Sequence, residues 1–126
     1  MLSRSQVGQI GEELAIKHLK KLGFRIIERN VRRPWGELDI VAKKNDLLLF
    51  VEVKTLVKPG GEGEIQPEDE LTFYKARKLQ KAILMYFKEN RLDLNQEWRL
   101  DLIAIDLKPD LTLSDLRHIE NILFEF

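Results

Sequence analysis

The sequence lacks cysteine, carries no net charge and contains no long apolar run over its 126 residues. The absence of cysteine excludes disulfide bonds, thiolate metal sites and a cysteine nucleophile. No apolar run is long enough for a membrane helix, and no signal-peptide core follows Met1, so we expect no membrane contact and a cytoplasmic protein. The length and the 44% hydrophobic content predict one globular domain over residues 1–126.

The zero net charge conceals an uneven distribution along the chain. Residues 1–91 contain 18 basic and 13 acidic residues, a net charge of +5, whereas residues 92–126 have a net charge of −5. The basic residues concentrate in two stretches, which are Lys17, Lys20, Lys21, Arg25, Arg29, Arg32 and Arg33, and then Lys75, Arg77, Lys78, Lys81 and Lys88. One-sided charge is compatible with a phosphate-binding face, although two solvated helix faces would give the same pattern.

The hydrophobic pattern predicts a mixed α/β fold with the element order α-β-β-β-α-β-β. Helices are predicted over residues 4–22 and 71–90, and strands over residues 24–30, 38–42, 47–53, 98–107 and 119–124. Glycines and prolines predict a loop over residues 55–67. Alternation of helices and strands in this order favours a mixed β-sheet flanked by helices.

Charged residues interrupt the most apolar predicted strand. Residues 47–51 and Val53 are all apolar, which is typical of a strand buried on both faces. Glu52 and Lys54 share one face of this strand. A predicted β-hairpin between the strands at 38–42 and 47–53 brings Asp39 close to them. Because carboxylates and amines are rarely buried unless they are paired or bind a metal, these three residues predict a site for a hard cation. The alternative is that these residues form structural ion pairs. Buried ion pairs stabilise a protein poorly compared with apolar packing, which argues against this alternative.

Each predicted helix adds a candidate residue to this site. On the first helix, Glu12 shares a stripe with Gly8 and borders the face that packs on the sheet. Gly8 and Gly11 indicate either a close approach by a ligand or simply tight helix–sheet packing. On the second helix, Lys75 lies on the core-facing stripe, where it could extend to the surface or reach a phosphate.

Several segments in order resemble the bacterial YraN-like family, which belongs by its motifs to the PD-(D/E)xK nuclease superfamily. The resemblance covers nearly the whole chain. It rests on GQIGEELA at 8–15, RN at 29–30, GELDIV at 36–41, FVEVK at 50–54, LT at 71–72 with Lys75 in the helix that follows, and RLDLIAI at 99–105. Each segment alone is weak evidence, but their order along the chain is specific.

The resemblance implies a restriction-endonuclease-like fold and metal-dependent cleavage of structured or branched DNA, as in the archaeal Holliday-junction resolvases of DNA repair and recombination. It implies that Asp39, Glu52 and the Val53 carbonyl hold Mg²⁺ or Mn²⁺. Lys54 would orient the attacking water, and Glu12 would bind the metal through water or hold a second ion. A homodimer is expected, because a junction has two strands to cut. The residues expected to contact the nucleic acid are Lys75, Arg29, Arg32 and Arg33.

The chain departs from the family pattern at two positions near the site. Leu38 stands where the superfamily name has proline, and Thr55 follows Lys54 close to where the family usually has an arginine. The next loop is acidic, with Glu62, Glu64, Glu68, Asp69 and Glu70. A non-catalytic nucleic-acid-binding or protein-interaction module on the same fold is therefore a second hypothesis, and RNA stays open as a substrate. Asp101 is predicted to be structural, and the isolated His18 and His118 predict no metal site.

Overall fold

The computed structural model describes residues 3–59, 66, 68 and 71–125. The elements are two helices, five strands and a terminal 3₁₀ turn. In chain order they are α1 (Arg4–Lys21), β1 (Arg25–Arg33), β2 (Gly36–Lys44), β3 (Leu47–Val57), α2 (Phe73–Glu89), β4 (Trp98–Leu107), β5 (Leu113–Ile119) and the turn Ile122–Glu125. The predicted mixed α/β fold and its order α-β-β-β-α-β-β are confirmed.

The five strands form one open sheet in the order β1-β2-β3-β4-β5. β3 and β4 are parallel, while the other neighbouring pairs are antiparallel. Parallel neighbours need a long crossover, and α2 lies in the connection between β3 and β4. A two-residue turn at Asn45 and Asp46 joins β2 to β3, and Asn45 has a φ of 53°, which asparagine tolerates better than most residues. None of the described helices is long and apolar enough to cross a membrane.

The central strand β3 is buried on both faces, as its apolar run predicted. Leu48 and Phe50 pack in a core cluster with α2 on one side of the sheet. Leu49 and Val51 pack with α1 on the other side. The two faces therefore exclude water from the strand just before it reaches its charged residues, Glu52 and Lys54.

Helix α1 lies unusually close to β3. Its start is fixed by a capping box between Ser3 and Gln6. A Cβ atom on Gly11 would come within 1.8 Å of the Thr55 side-chain oxygen, so this glycine admits close helix–sheet packing. At Gly8 a Cβ would meet nothing within 4 Å. The two glycines therefore have different surroundings: Gly11 allows close helix–sheet packing, whereas Gly8 borders open space.

The predicted end of the third strand and the predicted start of the loop after it are wrong. β3 continues to Val57, because its parallel pairing with β4 extends as far as Val57 and Leu107. The predicted loop therefore begins at Lys58, and apart from Lys58, Pro59 and Gln66 the rest of it lies outside the described residues.

The last strand is also misplaced in the sequence analysis. β5 covers Leu113–Ile119, and the predicted strand at 119–124 is largely replaced by the 3₁₀ turn. A tight turn, in which the Lys108 N–H donates to the Thr112 carbonyl at 2.8 Å, returns the chain at once after β4. β5 is an edge strand with mostly exposed or half-buried residues, so its sequence lacks a strong apolar alternation.

Candidate active site

Asp39, Glu52 and Lys54 come together where β2 and β3 separate. The paired ladder of these strands ends at Ile40 and Val51, and the next residue of each strand toward the site is a carboxylate. The Val53 N–H donates to Asp39 Oδ2 at 2.9 Å. Lys54 Nζ lies 3.5 Å from Glu52 Oε1, and the two side chains are only 24% and 15% exposed.

An irregularity in β1 accompanies the position of Asp39. Asn30 has a φ of 54° and lies opposite Asp39, between the paired positions Arg29–Ile40 and Val31–Leu38. Positive φ is rare within a strand, and asparagine is among the few residues that adopt it at modest cost. Asn30 therefore places an unusual backbone conformation on the edge strand directly opposite Asp39.

Burial makes the two carboxylates difficult to ionise together. Burial and the nearby Asp39 charge raise the pKa of Glu52 to about 8, against the opposing attraction of Lys54. Burial also raises the pKa of Asp39, although the Val53 N–H and Lys54 oppose this. The proximity of the two carboxyl groups lowers the pKa of Asp39 and raises that of Glu52, which favours ionised Asp39 and protonated Glu52. The pair thus retains a proton near neutral pH, and a cation at the same place would replace it.

The donor set fits a hard cation with few protein ligands. Among the described residues, no group of three or more His, Cys, Asp and Glu side chains is arranged to hold a metal. Mg²⁺ does not require such a group, because it keeps several waters and commonly binds one or two carboxylates. Asp39 and Glu52 are two half-buried oxygen donors, and the Val53 carbonyl belongs to the same short stretch of β3.

A cleft of about 580 Å³ opens between this site and α2. We call it the α2 cleft. Asp39, Glu52 and Lys54 line one side, and three lysines from α2 line the other, which are Lys75, Lys78 and Lys81. None of these lysines forms an ion pair with a described residue. The cleft therefore places three lysines, none of them paired with an acid of the described residues, opposite the carboxylates, which suits a phosphate group between them.

A second, smaller cleft of about 250 Å³ lies on the α1 side and shares Glu37 and Asp39 with the first. We call it the α1 cleft, and Glu12 lines it. The Glu12 Oε1 atom is buried without a hydrogen-bond partner, and its nearest cation is Arg29 Nε at 3.9 Å. Burial and the Asp39 charge raise the pKa of Glu12. Glu12 thus interacts with Asp39 through charge but is not brought into the same carboxylate pair.

The four predicted nucleic-acid contacts fall into two groups. Arg29 donates to Glu13 at 2.6 Å, and Arg33 donates to Glu89 at 3.0 Å, so both guanidinium groups are already paired with acids of the protein. Lys75 lines the α2 cleft and Arg32 lines the α1 cleft. The structure thus brings Lys75 and Arg32 to the clefts beside the carboxylates, while Arg29 and Arg33 tie β1 to the helices.

Asp101 is structural, as predicted. It is fully buried, and it accepts two hydrogen bonds from Arg99, at 2.8 and 2.9 Å, and one from the Asn121 N–H. His118 Nε2 lies 2.7 Å from Asp101 Oδ2, and His118 Nδ1 lies 3.0 Å from His18 Nε2. The two histidines are isolated in sequence but adjacent in space, and they join α1 to β5 and β4.

Sequence reasoning missed part of the site. It singled out Lys75 but did not place Lys78 and Lys81 beside it, although spacings of three residues put side chains on one helix face. Trp35, which packs partly against the core, also lines the α2 cleft. Glu37 lines both clefts and forms no ion pair with an arginine among the described residues.

Comparisons with known proteins identify the family of this chain. The model of the family described as "Uncharacterised protein family UPF0102" matches residues 11–105. A UPF0102 protein of Fervidobacterium nodosum is 36% identical over 123 residues, covering 94% of this chain and 82% of that protein. One from Thermodesulfovibrio yellowstonii is 36% identical over 125 residues, covering 98% and 100%. One from Syntrophotalea carbinolica is 39% identical over 107 residues, covering 85% and 84%. The chain therefore belongs to the UPF0102 family, the YraN-like family that its motifs resemble.

Proposed function

We propose that this protein is an endonuclease that requires Mg²⁺ or Mn²⁺ and hydrolyses phosphodiester bonds in structured or branched DNA, in the manner of a Holliday-junction resolvase. One observation supports this most strongly. Two half-buried carboxylates and an ammonium meet on one side of the α2 cleft, and the facing side is lined by lysines. A protein gains little stability from such an arrangement, whereas phosphodiester hydrolysis needs these groups close together.

Each residue of the site has a role in this proposal. Asp39, Glu52 and the Val53 carbonyl would hold the cation, and Glu12 would reach it through water or hold a second ion. The bound cation supplies positive charge that offsets the negative charge developing on the phosphate. Lys54, which is held beside Glu52, orients the attacking water and favours its loss of a proton. Lys75 contacts a phosphate from the facing wall of the cleft.

The substrate would be recognised by shape and charge rather than by base sequence. Contacts from lysines and arginines to phosphates position a protein on DNA without reading bases. Lys75, Lys78, Lys81 and Arg32 lie in the two clefts that flank the carboxylates. A homodimer is part of the proposal, because symmetric cutting of a four-way junction needs two such sites. Sedimentation velocity on the free protein and on its junction complex measures this directly.

A second function is favoured by a different observation. Arg29 and Arg33 form ion pairs with Glu13 and Glu89. Thr55 lies near the position at which the family usually has an arginine. Within the loop, Glu68 is held by Arg117, and Glu62, Glu64, Asp69 and Glu70 lie outside the described residues. These features reduce the positive charge available to a long duplex. They favour a non-catalytic nucleic-acid-binding or protein-interaction module on the same fold.

Cleavage of a substrate panel separates the two functions. Labelled four-way junction, flap, single strand, plain duplex and one RNA are incubated with the protein in Mg²⁺, in Mn²⁺ and in EDTA. We expect metal-dependent cutting of a branched DNA by the wild type and none by Lys54→Met. Lys108→Met, an exposed lysine outside both clefts, is the matched control and should cut normally.

The alternative outcomes are equally specific. Binding of a branched DNA that weakens with salt, persists in EDTA and is never followed by cutting would support the non-catalytic module. Cutting confined to the RNA would assign a ribonuclease instead. Equal cutting by the wild type and Lys54→Met would contradict the site proposed here.

A further inference from the structure

The start of α2 exposes two aromatic side chains. Phe73 is 56% exposed and Tyr74 is 68% exposed. The other aromatic residues whose side chains the structure describes are buried or half-buried, including Phe50, Tyr86 and Phe87 in the core. Aromatic rings bury large apolar areas when they can, so adjacent exposed rings indicate a surface that a partner covers.

Each exposed ring is paired with a cation one helical turn further on. The Arg77 guanidinium lies 5.7 Å from the centre of the Phe73 ring, and the Lys78 ammonium lies 4.9 Å from the centre of the Tyr74 ring. Such cation–π pairs hold a ring in place and add positive charge beside it. We call these four residues the α2 aromatic patch.

The α2 aromatic patch is continuous with the α2 cleft. Lys78 and Lys81 line the cleft, and both also line a shallow groove with Tyr74 and Arg77 on the outer surface of the helix. A chain of phosphates that follows these lysines would lead from the patch to Asp39 and Glu52. α2 carries five basic residues and a single acid, Glu89, which is its last residue.

We propose that the α2 aromatic patch binds unpaired nucleotides by stacking, so that the substrate carries a single-stranded segment beside the phosphate held in the cleft. This inference rests on the proposed function and names its substrate class. Exposed rings interleaved with cations match a single strand, whose bases offer flat faces and whose backbone offers charge. A duplex keeps its bases stacked within the helix and would use only the lysines.

Binding in EDTA tests the patch without requiring cleavage. Fluorescence anisotropy measures the affinity for a fluorescein-labelled single-stranded DNA and for a blunt duplex of equal length. We expect Tyr74→Leu and Phe73→Leu each to weaken single-strand binding about ten-fold, because each removes one stacking ring. Tyr74→Trp should keep wild-type affinity, and duplex binding should stay within about two-fold.

A control lies outside the clefts and the groove. Leu94 is an apolar residue that is 91% exposed, in the connection between α2 and β4, and Leu94→Ala should leave single-strand binding unchanged. Equal weakening on the single strand and the duplex, or no weakening with Tyr74→Leu, would overturn the proposal. Self-association that Tyr74→Leu abolishes, without any effect on DNA, would assign the patch to a protein partner and overturn it too.

The patch and the proposed function can fail separately. Affinities measured in EDTA do not depend on the metal ion that the proposed cleavage needs, so they report on the patch independently of that activity. If no substrate is ever cut but Tyr74→Leu still weakens single-strand binding, the endonuclease proposal fails and the patch stands. If branched DNA is cut equally well by the wild type and Tyr74→Leu, with equal affinities, the patch fails alone.

Discussion

Replacing the half-buried Glu52 carboxylate by its neutral isostere should stabilise the metal-free protein. The pKa of Glu52 is raised from 4.5 to about 8 by burial and by the Asp39 charge. One pKa unit corresponds to about 1.4 kcal/mol, so keeping Glu52 protonated at pH 7 costs the folded state about 3 kcal/mol. Glu52→Gln removes this cost but also removes the attraction of Lys54. We expect a net gain of about 1–3 kcal/mol in the free energy of unfolding.

The pH dependence gives the sign of the effect. Because the folded-state pKa of Glu52 lies above its unfolded value of 4.5, the folded protein holds more protons than the unfolded chain between these two values. The stability of the wild type in EDTA therefore falls as the pH rises from about 4.5 to about 8. The advantage of Glu52→Gln should grow over the same window, and Mg²⁺ should restore stability to the wild type alone.

Chemical unfolding in urea, followed by circular dichroism at several pH values in EDTA and in Mg²⁺, measures both effects. Glu37→Gln is the matched control, because Glu37 is an exposed carboxylate lining the same cleft. The free energy of unfolding of this variant should differ little from that of the wild type. A Glu52→Gln protein less stable than the wild type in EDTA at pH 8 would refute the reasoning. A stability difference that does not vary with pH would refute it as well.

Three further predictions concern packing, the buried ion pair and the cleft. Gly11→Ala should lower the free energy of unfolding in urea by about 1–3 kcal/mol, because the added Cβ has no room. Gly8→Ala should cause no such loss, because its Cβ would clash with nothing. Arg99→Gln should lose about 3 kcal/mol, because Asp101 keeps its buried charge. The hydrogen bonds to Asp101 lower its pKa despite burial, so this loss should fade below pH 3.8, its ordinary value. Lys81→Gln should weaken binding to all DNA forms and lower the salt slope by about one.

The architecture could be predicted because the apolar residues of the core form clear patterns in the sequence. The continuous apolar run of β3 predicted burial on both faces, and the structure shows α1 on one side and α2 on the other. The same burial made Glu52 and Lys54 conspicuous, so the central part of the site followed from local sequence. β5 was misplaced because an edge strand with exposed side chains carries almost no hydrophobic signal.

Relations between distant residues could not be read from the sequence. Arg29 and Arg33 looked like phosphate contacts, because nothing local reveals that Glu13 and Glu89 lie beside them in the fold. The contact of His18 with His118 spans 100 residues for the same reason. The close approach at Gly11 was only one of two readings until Thr55 was found against it.

Titration of Mn²⁺, followed by the electron paramagnetic resonance signal of the free ion, tests the central claim without knowledge of the substrate. The claim is that the half-buried pair of Asp39 and Glu52 is a cation site. The account predicts a site in the wild type that is lost in Asp39→Asn and in Glu52→Gln and retained in Glu37→Gln. Absence of Mn²⁺ binding to the wild type, or undiminished binding to Asp39→Asn, would contradict it.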